Sequence, residues 1–570
     1  MLVASERMAR PPALAVAAVL LALAFTGCLT AEDAAGTRKA SKLQAPPSPG
    51  IQIANEELSQ PIYKALAKTR HYVTAAIEGI RLYTEVYLPD GPGPWPTVIV
   101  NSPYYDHGLN GASSPDANFR NFMVPRGYAV VLADVRGTGY SEGCMNMMGP
   151  KEQRDTYDLV EWVANQTWSD GNVGMYGVSY VGTTPHEALI MAPPHLKTVV
   201  TIAGVTNQWR NTFQNGVPYA NRFYPITYEA TEGLPPPGDY DRGAEWARNT
   251  AMGACEQDEA LKAMSPGTYE KGVYDKYWKD RNFTLQAHKA TASIFYNQGF
   301  TDRAVNPMEA VHWYNELPVP KKSYWGQWPH RTPQRQDWND TYLAWFDHWL
   351  KGRENGIMDS PPVEVILNNN RIRTDTKWPP ANTTPLILHL APGALQEDAP
   401  ASGRATYLAD NAARGSEGPL LESSPRPLRL AFQTPPLAAD VHMAGVPWAH
   451  LRASVNADNT YFLLSLFDVE GSTWREVGEG WMNAHLWQSF DKSSPLTPGK
   501  EYDFHFKFEP REYVFPAGHK IGLQIRGSDS RVSPFDKAVT ENTIVFGAEG
   551  SRIELPTLLS PQTYERPDGI

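Results

Sequence analysis

Apolar runs and helix-like stretches alternate through the first half of the chain, and the period then changes to two. Thr97-Val98-Ile99-Val100, Ala129-Val130-Val131-Leu132-Ala133, Val173-Gly174-Met175-Tyr176, Thr198-Val199-Val200-Thr201-Ile202 and Ser293-Ile294-Phe295-Tyr296 are continuous and often β-branched. Such runs are expected where a parallel sheet is covered by helices on both faces. Between two of them, Tyr157, Leu159, Val160 and Val163 recur at helical spacing within 155–165. Strands alternating with helices predict an α/β domain over 51–355. From about 206 to 290 the pattern gives way to a Trp-, Tyr- and Asn-rich stretch containing Pro235-Pro236-Pro237. An insertion between two sheet strands reads as a helical cap over the carboxyl edge of the sheet, where open α/β folds bind ligands.

After Pro361-Pro362 apolar residues alternate with polar ones. Leu386, Leu388 and Leu390 do so, as do Leu428, Leu430 and Phe432, then Leu451, Ala453 and Val455. Tyr502, Phe504, Phe506 and Phe508 follow, and then Ile521, Leu523 and Ile525. Many half-buried strands with polar turns predict a jelly-roll-like β-sandwich over 360–570. The expected boundary lies just beyond the helix carrying Trp345–Leu350.

The ends and the totals narrow the setting. Arg7 and Arg10 precede an apolar stretch from Ala13 to Phe25 that ends at Thr26-Gly27-Cys28. A short basic region, an apolar region and small residues describe a signal peptide. Small residues directly before Cys28 resemble a bacterial lipobox, which would make Cys28 a lipidated mature N-terminus. The apolar run is short for a membrane-spanning helix, so membrane association is expected only through that lipid. Residues 29–50 are small, polar and Pro-containing, as a flexible tether would be. The expected location is therefore the bacterial cell envelope, or the exterior. With 42% hydrophobic residues and 17 Trp the chain is an ordinary folded protein, and a net charge of −11 argues against a nucleic-acid partner. Export permits disulfides, and Cys144 and Cys255 are the two cysteines left, so they are expected to pair. In the chain-entropy model a bridge over such a long loop contributes roughly 4–5 kcal/mol before strain.

The chemistry centres on Gly177-Val178-Ser179-Tyr180-Val181-Gly182, between an apolar run and a helix-like segment. A serine on a tight strand-to-helix turn is lifted clear of the sheet, as in the nucleophile elbow of α/β hydrolases. A serine hydroxyl needs a base, and the base needs an orienting group. In that fold the partners follow in the order Ser, acid, His. Asp302 follows the strand-like Ser293–Tyr296, and His330 lies in Gly326-Gln327-Trp328-Pro329-His330. Ser179, Asp302 and His330 are thus the candidate catalytic residues. The match is imperfect, because G-x-S-x-G requires glycine where this chain has Val181. His348 reads as a packed or surface residue on an amphipathic helix, and His186 as a helical residue pointing away from the elbow. His186-Glu187 could open a zinc motif, but position 190 is Ile190, so no metal is expected. Gly137-Thr138-Gly139 resembles a dinucleotide loop, but its third glycine, Gly143, comes one residue late, and no cofactor is expected.

With these residues in place, the chain resembles the cocaine esterase and Xaa-Pro dipeptidyl-peptidase family of serine hydrolases. The resemblance rests on the G-x-S-Y-x-G form at 177–182, which is the family's own variant. It also rests on Ser102-Pro103-Tyr104, the stretch from Asp134 to Gly143, Gly299 to Asp302, Gly326 to His330, and Trp345 to Gly352. It implies an α/β hydrolase fold with a cap, followed by the C-terminal β-rich domain. It further implies Ser179 as nucleophile, His330 as base, Asp302 as orienting acid, and an oxyanion hole made by the Tyr104 hydroxyl and the Tyr180 N–H. Family members release Xaa-Pro dipeptides from peptide N-termini or hydrolyse small esters and amides, and a peptidase must hold a free amine, for which Asp106 is the candidate. The expected partners are thus a short peptide or a small-molecule ester. A surface-binding protein with an inactive hydrolase domain is the remaining alternative, and the intact Ser179, Asp302 and His330 speak against it.

Overall fold

The central strands of the first domain are apolar runs because both sheet faces are buried there, whereas strands at its margins carry charged residues. In the computed structural model, which describes residues 57–104, 115–219, 272–410, 427–532, 539–559 and 561–565, the sheet contains β1 (Thr69–Thr74), β2 (Arg81–Tyr87), β3 (Trp95–Ser102), β4 (Ala129–Asp134), β5 (Ser169–Val178), β6 (Leu196–Ile202), β7 (Ser293–Gly299), β8 (Lys321–Gly326), β9 (Val363–Ile366) and β10 (Arg371–Asp375). Their order across the sheet is β1-β2-β4-β3-β5-β6-β7-β8-β9-β10, with the short strand Tyr564–Glu565 at the far edge. The strands from β4 to β9 run parallel, and β1, β2 and β10 pair antiparallel at the margins. Successive side chains point to opposite faces. Ile99, Val131, Met175, Val199 and Ile294 accordingly pack against α1 (Pro150–Ala164) and α2 (Tyr180–Met191). Val98, Val100, Val130, Leu132, Val200 and Phe295 pack on the other face against Trp345, Phe346 and Leu350 of α3 (Trp338–Lys351). This is the expected α/β hydrolase sheet.

Two strands expected in the sandwich pair elsewhere. The strands after residue 360 do not all enter the sandwich, because β9 adds in parallel to β8 and β10 closes that edge. The sandwich strands instead run from Thr384–Ala391 to Arg552–Leu558. A short strand joins whichever edge offers free hydrogen-bonding groups, and β8 offers one here. Within the sandwich the alternation holds. Tyr502, Phe504, Phe506 and Phe508 share one core with Leu388, Leu451, Leu464, Ile521 and Ile544, from strands that are not all hydrogen-bonded neighbours. Leu428 is an exception: it lies just before the strand Arg429–Gln433 and is 48% exposed.

Of the cap, a helix at Gln208–Thr212, a hairpin at Phe213–Pro218 and a single-turn helix at Lys276–Lys279 are described. Residues 220–271 of the expected cap, the signal peptide and the tether lie outside the described residues. The hairpin is fastened to the sandwich: the Asn215 amide donates to the carbonyls of Trp481 at 2.8 Å and Lys507 at 2.9 Å. A second junction is made by Glu512, a fully buried carboxylate on a sandwich strand. It accepts hydrogen bonds from Arg373 of β10, from the Trp378 indole and from His442.

The sharpest bend in the chain joins β5 to α2. Ser179 sits there at φ 64°, ψ −130°, a conformation that L residues rarely adopt. Its N–H donates to the Ile202 carbonyl at 2.9 Å, and its carbonyl accepts from Thr183 N–H at 3.0 Å. Two glycines make the bend possible by close approach. A Cβ on Gly177 would lie 2.0 Å from the Val181 carbonyl oxygen, and one on Gly182 would lie 2.6 Å from the Ile202 carbonyl oxygen. Val181 instead points into the core, 4% exposed. The backbone thus requires glycine at 182 and leaves room for a side chain at 181.

Two outcomes follow from this packing. Gly182→Ala pushes a methyl into immobile backbone and should destabilise the fold by about 1–3 kcal/mol, with loss of turnover. Calorimetry and soluble yield would read this, and a wild-type transition would contradict it. Glu512→Leu leaves Arg373 and His442 buried without their carboxylate and should cost about 3–5 kcal/mol. Its hydrogen bonds from His442 and Arg373 hold the Glu512 carboxyl below its usual range against the cost of burial. That contribution is therefore present above the unfolded pKa and is lost as pH falls through the native one. Thermal midpoints measured from neutral to acid pH should converge for wild type and variant, and parallel curves would contradict the assignment.

Candidate active site

The bend at Ser179 aims its hydroxyl at two loops that leave the carboxyl ends of later strands. The loop after β8 brings His330, whose Nε2 lies 2.8 Å from Ser179 Oγ. The loop after β7 brings Asp302, whose Oδ2 lies 2.8 Å from His330 Nδ1. Asp302 is 2% exposed. Its other oxygen accepts the backbone N–H groups of Ala304 and Val305, both at 2.9 Å, so the carboxylate cannot swing away. With Asp302 accepting from Nδ1–H, the lone pair on Nε2 faces the serine, as a base for the hydroxyl proton must. The structure brings the three residues named from the sequence into one hydrogen-bonded chain.

Tyr104 closes the other side of the serine. Its hydroxyl lies 3.3 Å from Ser179 Oγ and 3.3 Å from the Tyr180 backbone nitrogen. The Tyr180 N–H is at the N-terminus of α2, where the first amides of a helix have no intrahelical acceptor. A hydroxyl and an amide converging beside the serine can stabilise charge on a carbonyl oxygen. The Tyr104 N–H donates to Ser102 Oγ at 3.1 Å, which anchors the end of β3 beneath it.

The remaining expectations fall in different places. Asp106, Cys28 and Cys255 lie outside the described residues. Cys144 is disulfide-bonded, and its partner lies outside the described residues. His186 is completely buried between Tyr296 and Trp313, and burial pushes its imidazole down to about 3, which keeps it neutral. The His348 Nδ1 lies 3.1 Å from the Arg353 carbonyl at the surface end of α3. The loop after β4 wraps a carboxylate of its own chain. Tyr140 N–H donates to Asp134 Oδ2 at 2.7 Å, and a Cβ on Gly139 would meet that same oxygen at 2.1 Å. Its glycines therefore serve a tight turn around Asp134. Among the described residues no group of three or more His, Cys, Asp or Glu side chains is placed to hold a metal ion, and no helix is long and apolar enough to cross a membrane.

Sequence reasoning missed two residues that link the loops of His330 and Asp302 to the sandwich. Gln327 in the His330 loop donates to the Glu512 carbonyl at 2.6 Å. Arg303, next to Asp302, lies 3.6 Å from Glu476 of the sandwich strand Thr473–Asn483. Neither carries a sequence signal, because each acts through a partner more than 150 residues away.

Comparison with known proteins accords with this geometry. Residues 78–332 match the model of the X-Pro dipeptidyl-peptidase (S15 family), and residues 355–554 match the X-Pro dipeptidyl-peptidase C-terminal non-catalytic domain. A Bacillus anthracis relative, provisionally named a Xaa-Pro dipeptidyl-peptidase, is 30% identical over 464 residues, covering 77% of this chain and 74% of its own. The cocaine esterase of Rhodococcus sp. strain MB1 Bresler is 24% identical, covering 79% of this chain and 89% of its own. Among solved structures, an α-amino acid ester hydrolase superposes with a TM-score of 0.72 at 21% identity, over 89% of this chain and 98% of that one. An aminopeptidase from a marine sediment archaeon of the Thaumarchaeota gives 0.71 at 20% identity, over 92% and 99%. Two matched domains, a relative aligned over three quarters of both chains and a shared architecture lead to one assignment: the chain belongs to the X-Pro dipeptidyl-peptidase (S15) family of serine hydrolases.

Proposed function

We propose that this protein releases Xaa-Pro dipeptides from peptide N-termini through an acyl-enzyme on Ser179. The observation that carries the reading is the unbroken chain Ser179 Oγ–His330–Asp302, with both contacts at 2.8 Å, on a serine held in a strained bend. Support for the peptide substrate comes from the names of the relatives. His330 Nε2 takes the hydroxyl proton as Ser179 Oγ bonds to the carbonyl carbon, and the charge on the carbonyl oxygen settles between the Tyr104 hydroxyl and the Tyr180 N–H. Collapse expels the amine, which receives the proton from His330. A water then repeats the sequence on the acyl-enzyme, and the acid leaves with Ser179 restored.

A second reading, hydrolysis of small esters or amides, is favoured by the similarity to the cocaine esterase along nearly its whole length. Both readings use the same residues and differ in what the pocket accepts. The export reading is supported by the apolar run before Cys28 and by the disulfide at Cys144, a bond that persists in oxidising compartments. Lipidation of Cys28 would place the enzyme at the cell envelope, where it meets peptides.

Ser179→Ala should lower kcat/KM by roughly 10³-fold or more while leaving the thermal transition intact, and retained turnover would sink the assignment. Tyr104→Phe removes one hydrogen-bond donor and should lower kcat by about 10²–10³-fold with little change in KM. A KM effect alone would contradict that role. The substrate class is read by comparing a Gly-Pro anilide, its N-acetylated form and a simple aryl ester. The dipeptidase reading expects Ser179-dependent cleavage of the first and none of the second. Turnover of the ester alone would establish the second reading.

A further inference from the structure

The tyrosine after the serine reaches in two directions. Its backbone N–H meets the Tyr104 hydroxyl beside Ser179. Its own hydroxyl extends into the interior between α1 and α2 and donates to Glu152 Oε1 at 2.5 Å. Both side chains are buried, with Tyr180 3% and Glu152 1% exposed. Glu152 stands in the first turn of α1, where its other oxygen accepts the Met148 N–H at 3.2 Å. Seven residues beyond Tyr180, and so on the same face of α2, Glu187 brings a second fully buried carboxyl beside it.

A carboxyl pair so deep in the protein is costly unless it is hydrogen-bonded, paired with a cation or neutralised by a proton. Among the described residues neither Glu152 nor Glu187 has an ion-pair partner. The charged groups that face them are already committed. Arg136 holds Asp155 through two hydrogen bonds, at 2.6 and 2.9 Å. Arg281 spends its guanidinium on the carbonyls of Met147, Asn146 and Tyr277. His186, the neighbour of Glu187, is neutral. Tyr180 therefore anchors one end of its side chain on a carboxyl that has few other partners, while its backbone serves the reaction.

We propose that Glu152 is a positioning residue for the oxyanion hole, holding the Tyr180 hydroxyl so that the Ser179–Tyr180 peptide presents its N–H at the angle the reaction needs. The inference rests on the serine mechanism given above. Donors in such a hole act only when held close to the productive geometry, and an error near 1 Å costs about 10²-fold. A phenol ring pinned at its far end is a stiff lever for that purpose, because only two side-chain torsions separate the anchor from the backbone. Burial and the neighbouring Asp155 raise the Glu152 carboxyl to about 7, and burial and Glu152 push Glu187 well above the usual carboxylate range. The pair is therefore largely protonated below neutrality. As pH rises through about 7, Glu152 gains a charge behind the hole that the nearby Arg136, engaged with Asp155, offsets only in part, which disfavours a developing oxyanion. On this account activity carries a falling limb near neutrality.

Four proteins test this: wild type, Tyr180→Phe, Glu152→Leu and Glu152→Gln. Removing the hydroxyl or its acceptor should lower kcat about 10–100-fold with KM within about twofold. Glu152→Gln keeps an acceptor oxygen and cannot ionise. It should retain kcat within about threefold of wild type and lose the falling limb near pH 7. An unchanged kcat in Tyr180→Phe, which alters a single oxygen and leaves the ring to pack, would overturn the proposal. So would a glutamine variant as impaired as the leucine one. Fluorophosphonate labelling separates this failure from failure of the mechanism. A wild-type protein that labels at Ser179 leaves the serine reading standing, whereas one that does not label removes both.

Discussion

The close backbone contact among Gly177, Gly182 and Gly204 is the constraint on which the active centre depends. A Cβ on Gly204 would lie 2.3 Å from the Gly182 carbonyl oxygen, and Gly182 in turn touches the Ile202 carbonyl. The end of β5, the start of α2 and the exit of β6 are thereby pressed together more tightly than any side chain would permit. Ser179 is left at φ 64°, a conformation that costs of order 1–3 kcal/mol and persists only where the surroundings over-determine it. The return is a hydroxyl raised above the sheet, a helix N-terminal amide beside it that meets the Tyr104 hydroxyl, and a fixed line toward His330.

The C-terminal sandwich belongs to the same arrangement. The loops carrying His330 and Asp302 each meet it, one through Gln327 on the Glu512 carbonyl and one through Arg303 near Glu476. The side chain of Glu512 simultaneously holds β10 through Arg373. The described hairpin of the cap is stitched to the strand Thr473–Asn483 through Gln214 and Asn215. A triad whose members come from three loops needs those loops held to fractions of an ångström, and a second domain packed against two of them supplies that restraint. The family model that matches the sandwich calls it non-catalytic. Non-catalytic here still means attached to the loops of His330 and Asp302.

Much of this was legible in the chain. The apolar runs at 97–100, 129–133 and 198–202 specify a sheet buried on both faces, because each residue is committed to one of two cores. The order Ser179, Asp302, His330 survived into geometry because chain order and strand ends fix where such loops emerge. Val181 was harder. As a pattern it looks like a fault, and only the folded chain shows that the Val181 side chain has room in the core while the close approach to the Ile202 carbonyl falls on Gly182. The pairing of the first strands after residue 360 was hidden for a related reason. Val363–Ile366 reads as a strand in either domain, and what decides is an open edge on β8 some forty residues earlier. Glu152 was silent, since an acid in the first turn of a helix is ordinarily a solvated favourable charge at the helix N-terminus. Its burial is set by where α2 packs.

The central claim is that the strained serine at 179 is the nucleophile, activated through His330. Peptide mapping by mass spectrometry after reaction with a fluorophosphonate tests it most directly. The account predicts a single adduct on the peptide containing Ser179, formed rapidly by wild type and slowed by orders of magnitude in His330→Ala. An adduct on another residue, or equal labelling in the histidine variant, would contradict it.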